Sequence, residues 1–112
     1  MLTIVRGTLF IDLDGTVLRS TDETPLPGAV DKINEAYDNG FMIVITTYRG
    51  NNYLAPHKYS VSETLQTLKV AGLKYTDIIW DSPSPRVVIN DDVCGHIQHP
   101  KDADWSEYNF IE

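Results

Sequence analysis

The sequence predicts an α/β protein, a three-layer α/β/α sandwich built on a mainly parallel sheet. Three observations carry this. Short, nearly continuous apolar runs recur: TLFIDL at 8–13, FMIVITT at 41–47 and RVVIN at 86–90. Such runs are strands covered on both faces. Between them lie two segments whose apolar residues recur at helical spacing. The connections are short and carry Gly, Pro and Asp.

Taken in order, LTIV at 2–5 is a candidate short strand, with Gly7 marking the break. TLFIDL is a buried strand ended by Asp14-Gly15. Residues 16–26 are polar and turn-rich. Pro27 opens a helix to about Asn39, where Val30, Ile33, Ala36 and Tyr37 form its apolar stripe and Gly40 stops it. FMIVITT is a second, central strand, and residues 48–59 form a loop. SVSE at 60–63 fits a capping box that starts a helix to Ala71, with Gly72 after it. Asp77–Trp80 is a short strand, DSPSP a loop and Arg86–Asn90 another strand. The tail from Val93 has no clear period.

A chain of 112 residues fits one domain, here 1–112, with the motifs in 8–92 and a tail, 93–112. Trp105, Tyr108 and Phe110 in that tail require burial, against this domain or a second subunit. The net charge is -7, which argues against broad nucleic-acid binding. Cys94 is the only cysteine, so no internal disulfide can form, and a reducing cytoplasm suits it. No stretch approaches the ~20 apolar residues of a membrane span, and Arg6 and Asp12 make a poor signal peptide.

The chemistry gathers at strand ends. In an open parallel sheet, sites lie beyond the carboxyl ends of the strands. Asp12 and Asp14 end the first strand, Thr47 the second, and Asp91 and Asp92 the last. Asp12 and Asp14, two apart, face one pocket if the strand runs straight. Several buried carboxylates cannot all stay ionised without a cation. Oxygen donors of this kind suit Mg²⁺, held by a few carboxylates together with a substrate phosphate. Gly15, followed by Thr16, permits a sharp turn and a close approach of backbone N–H groups to a phosphate. Thr47 can donate its hydroxyl to a phosphoryl oxygen. An EF-hand does not fit, because glycine stands at the fourth position, counting Asp12 as the first, rather than at the sixth. His96 and His99 in a polar tail, and His57 in a loop, read as ordinary surface residues. Tyr48, Tyr53 and Tyr59 read as packing around that loop.

FIDLDGTVL, MIVITT and VVINDD resemble motifs I, II and IV of the haloacid dehalogenase superfamily of phosphatases. The segments KINEAYDNGFMIVITTYRG and TLKVAGLKYTDIIW resemble its small, capless members associated with capsular polysaccharide biosynthesis. The resemblance covers most of residues 8–92. It implies a Rossmann-like core with no sizeable cap; only residues 16–26 and 48–59 could cover the site. It implies Asp12 as the nucleophile that forms an aspartyl-phosphate and Asp14 as the acid that protonates the leaving group. Mg²⁺ would be held by Asp12, the Asp14 carbonyl and Asp91, with Asp92 as a further ligand or its support. Thr47 would hold the phosphoryl group, with Thr46 as its rival.

One departure matters. Motif III supplies a lysine, and here Ser82 stands where it is expected. Arg86, Lys74 or Arg49 are the candidate substitutes, Arg86 being closest to the motif in sequence. A guanidinium does not simply replace an ammonium. The expected function is therefore a Mg²⁺-dependent phosphatase of a small phosphorylated metabolite such as a sugar phosphate. A polynucleotide 3'-phosphatase and a non-catalytic, metal- or phosphate-binding relative are the alternatives. Capless relatives often complete the site with a neighbouring subunit, so a homo-oligomer is a further expectation.

Overall fold

The computed structural model describes residues 7–19, 21–50, 59–81, 87–90, 93–97 and 104–107; for the last two strands only the backbone is described. The elements are β1 (Gly7–Asp12), α1 (Ala29–Asp38), β2 (Phe41–Thr46), α2 (Val61–Ala71), β3 (Asp77–Ile79), β4 (Val87–Asn90) and β5 (Val93–Ile97), then a 3₁₀ turn at Trp105–Glu107. They form one sheet in the order β3-β2-β1-β4-β5. Three adjacent strands are parallel: β1 pairs with β2, and β2 with β3. The protein is thus α/β with a Rossmann-like parallel core and no cap among the described residues.

Leu9 and Ile11 of β1 and Ile43 and Ile45 of β2 alternate onto one face and are fully buried. Ala29, Ile33 and Ala36 of α1 and Leu68 of α2 pack onto the same cluster. Burying each such Leu or Ile contributes roughly 1.5–3 kcal/mol. Both described helices therefore lie on that face. The other face carries Phe10, Val44 and Met42, with Met42 exposed. The second helical layer expected of the sandwich does not fall among the described residues.

Two local readings shift. The first helix begins at Ala29 rather than Pro27, because Gly28 takes a left-handed φ of 80° and the Ala29 N–H closes a turn onto the Leu26 carbonyl. The second helix starts where the capping box placed it. Ser60 Oγ accepts the Glu63 N–H at 3.1 Å, and Gly72 ends the helix in the left-handed region.

The larger difference is strand direction. The last predicted strand was expected to run parallel, but β4 runs antiparallel to β1, with Leu9 opposite Asn90 and Ile11 opposite Val88. β5, in the tail that showed no period, pairs antiparallel with β4. The cause is the length of chain available. β3 and β4 are three strand spacings apart, roughly 14 Å. Seven residues, 80–86, separate the two strands in the sequence, and at roughly 3.3 Å each that length spans the gap. They cannot also form the dozen-residue crossover that a parallel return requires. β4 therefore starts at the edge where Asp12 stands, and its carboxyl end arrives beside Leu9. No described helix is long and apolar enough to cross a membrane.

Candidate active site

Parallel pairing sets the site. Asp12 is the last residue of β1 and the register partner of Thr46 on β2, so their side chains leave the sheet on one face. Beyond Asp12 the chain turns at once. The Leu13 carbonyl accepts the N–H groups of Thr16, Val17 and Leu18, and the Leu13 N–H donates to Thr46 O at 3.1 Å. Gly15 supplies the φ of 75° that the turn needs, a conformation costly for any residue with a Cβ. Its N–H donates to Leu18 O at 2.8 Å. The following residues fold back as a small flap, in which Arg19 N–H donates to Thr24 O and Leu26 N–H to Val17 O.

This turn buries Asp12, Asp14 and Thr16 together. Thr16 Oγ1 donates to Asp12 Oδ2 at 3.3 Å. Thr47, just past β2, is buried as well, and its hydroxyl accepts the Arg49 N–H at 3.0 Å. A hydroxyl that accepts there keeps its own proton to donate.

Arg49 is the centre of the charged network, with its side chain 1% exposed. Its Nε donates to Asp14 Oδ2 at 3.0 Å and its Nη2 to Asp14 Oδ1 at 2.5 Å. Nη1 donates to Glu23 Oε1 at 2.8 Å and to Thr64 Oγ1 at 3.0 Å. Nη2 also donates to Glu23 Oε2 at 2.7 Å. The five N–H donors of a guanidinium are all used in this way. The Tyr59 ring stacks 5.3 Å from Arg49 Cζ. Burial works against the arginine charge, yet the hydrogen bonds and charges of Glu23 and Asp14 outweigh it and raise its pKa. Arg49 is thus a clamp on Asp14, with no N–H donor left over for a phosphate.

Asp12, Asp14, Gly15, Thr16, Thr46, Thr47 and Arg49 come together from the sites the sequence singled out. Asp91, Asp92, Arg86, Ser82, His57, His99, Tyr53, Tyr108 and Phe110 lie outside the described residues. Lys74 stands at the opposite edge of the sheet. It pairs with Asp38 at the end of α1, and the chain after it leads into the start of β3. It is not a substitute for the missing lysine.

Three participants escaped the sequence. Glu23 sits in a polar stretch with no period to mark it. Thr64 shares the buried stripe of α2 with Leu68, and a polar residue on an apolar stripe is a signal in hindsight. Trp105 was expected to be buried, but against an unspecified surface. It is 1% exposed, lies beside Gly28, and donates its indole N–H to the Thr16 carbonyl. Lys32 Nζ holds the Trp105 carbonyl in turn, at 2.5 Å.

A buried pair of aspartates in a glycine turn, at the carboxyl edge of a parallel sheet, is a hydrolase site in outline. A model of the haloacid dehalogenase-like hydrolase family matches residues 9–73, and the chain belongs to that family. The matched stretch runs from β1 through both helices, so it includes Asp12, Asp14, Thr47 and Arg49. No curated protein and no solved structure matches the chain.

Proposed function

We propose that the chain is a Mg²⁺-dependent phosphomonoester hydrolase that works through an aspartyl-phosphate on Asp12. The observation that carries this reading is the Asp12–Asp14 pair, buried together in the glycine turn at the carboxyl edge of the parallel sheet. Asp12, Asp14 and Glu23 bring three carboxylates to the site. A phosphate would add more negative charge, which a bound cation would balance.

The donors present fit Mg²⁺. Asp12 offers a carboxylate and Asp14 a main-chain carbonyl, both hard oxygen ligands. No cluster of three metal-ligating side chains stands among the described residues. Mg²⁺ does not need one, since it usually takes one or two carboxylates with water and the substrate's phosphate. When bound it would screen the phosphoryl charge from the carboxylates.

An Asp12 oxygen then attacks phosphorus in line as the bond to the leaving alcohol oxygen breaks. Asp14, with one oxygen kept on Arg49 and the other released and protonated, passes that proton to the leaving oxygen, then takes one from the water that cleaves the acyl phosphate. Thr46 or Thr47 donates a hydroxyl hydrogen bond to the phosphoryl group. The expected substrate is a small phosphorylated metabolite such as a sugar phosphate. The acidic net charge disfavours a polynucleotide.

The test is phosphate release from an aryl phosphate, with Mg²⁺ and with chelator, for wild type and Asp12→Asn. Release that needs both the metal and Asp12 supports the reading. Loss in the variant of at least about 100-fold is expected for a missing nucleophile.

One observation favours a second reading, a non-catalytic relative. None of four described cations with known partners stands as the motif III lysine: Arg49 is saturated, Lys74 is remote, Arg19 binds Thr24 and Lys32 holds the Trp105 carbonyl. Mg²⁺ binding by calorimetry without turnover on any monoester would favour that reading.

A further inference from the structure

Arg49 ties together parts of the chain that are far apart in sequence. Its side chain takes Asp14 from the turn after β1, Glu23 from the flap and Thr64 from α2. Its backbone N–H reaches Thr47 Oγ1, and its carbonyl accepts the Asp81 N–H beyond β3 at 2.8 Å. Glu23 is the member of this network that no motif marks. It binds Nη1 and Nη2 with separate oxygens, a two-point contact that fixes the plane of the guanidinium. The same plane presents Nε and Nη2 to the two oxygens of Asp14. A guanidinium is rigid, so its orientation at one carboxylate determines its orientation at the other. Thr64 Oγ1 accepts from Nη1 and itself donates to Ser60 O at 2.8 Å, which sets the position of the fork against α2.

We infer that Glu23 is a positioning residue: through Arg49 it fixes the orientation of the Asp14 carboxylate, and so ties the place of the flap to the geometry of the acid–base group. Glu23 does not touch the reacting atoms. Its kinetic consequence rests on the hydrolase reading above; the clamp itself does not.

The experiment has two arms. The first needs no turnover. In a ¹⁵N–¹H spectrum of metal-free protein, the Arg49 Nε–H signal is identified by its loss in Arg49→Lys. A fully bonded, buried guanidinium gives a slowly exchanging signal. Glu23→Gln keeps the shape and removes the charge; it should shift the signal and speed its exchange by about tenfold or more. Glu23→Asp keeps the charge but is one methylene shorter and should fall between. An unchanged Nε–H signal in Glu23→Gln overturns the clamp.

The second arm is kinetic, with an aryl phosphate and Mg²⁺. Glu23→Gln should lower kcat about tenfold with KM within about twofold, because misplacement affects the proton transfer more than binding. Glu23→Asp should recover part of that loss. A shifted Nε–H signal with unchanged kcat overturns the positioning role. If the wild type itself shows no turnover, the hydrolase reading and the kinetic role fail together, and the spectral arm still decides the clamp.

Discussion

Asp12 carries a burden that its neighbours must relieve. It is nearly buried, and Asp14 is buried two residues away. Buried carboxylates need hydrogen-bond partners to replace the water they lose. Arg49 answers for Asp14; Thr16 provides a hydroxyl to Asp12. Replacing Thr16 by Val keeps the volume of a fully buried side chain but removes that donor. The expected result is a stability loss of about 1 kcal/mol, with a fall in phosphate release as Asp12 loses its orientation. Urea midpoints and turnover measured on the same preparation check this. A variant as stable and as active as wild type would remove Thr16 from the account. The pair Asp12-Asp14 was legible in the sequence because apolar strand, acid spacing and glycine fall within a few residues. The part played by Glu23 was not. Its only relation to Arg49 is spatial, and a glutamate in a polar flap looks like any solvated charge.

The elements meet the site through their ends. β1 and β2 stop one beside the other, which brings Asp12 and Thr46 into register. α2 arrives with its amino end, where Ser60 caps it and Thr64 reaches Arg49. Cap and clamp thus share one helical turn. Ser60→Ala should cost about 1 kcal/mol, the usual loss for a serine N-cap, read from denaturant unfolding. Ser60→Asp should hold stability close to wild type, because aspartate accepts the same N–H and suits the positive helix end. This helix was read correctly because capping is local chemistry within four residues. The first helix was read two residues early. Pro27 is a good opener, but Gly28 in the left-handed region resets the chain before the helix begins.

At the scale of the molecule, the tail supports the turn that carries Asp12 and Asp14. The indole of Trp105 binds the carbonyl of Thr16, whose hydroxyl binds Asp12. Trp105→Phe keeps most of the apolar contact but leaves that buried carbonyl without its donor. A loss of about 2–4 kcal/mol is expected from the unpaired acceptor and the smaller ring. Thermal unfolding gives that number, and a parallel drop in activity would report loosening of the turn. Full activity at reduced stability would make Trp105 a packing residue alone.

What the sequence by itself determined was local: the parallel β-α-β-α-β order, the capped second helix, and a turn that places two aspartates at the end of the first strand. These follow from propensity, capping and side-chain alternation, which act over a few residues. The tertiary structure alone decided which way the last strand runs, where the tail's tryptophan goes, and which charges meet Arg49. Those outcomes depend on how far the chain can reach across the sheet and on which buried polar groups find a partner there. Neither quantity is written in any short stretch of residues.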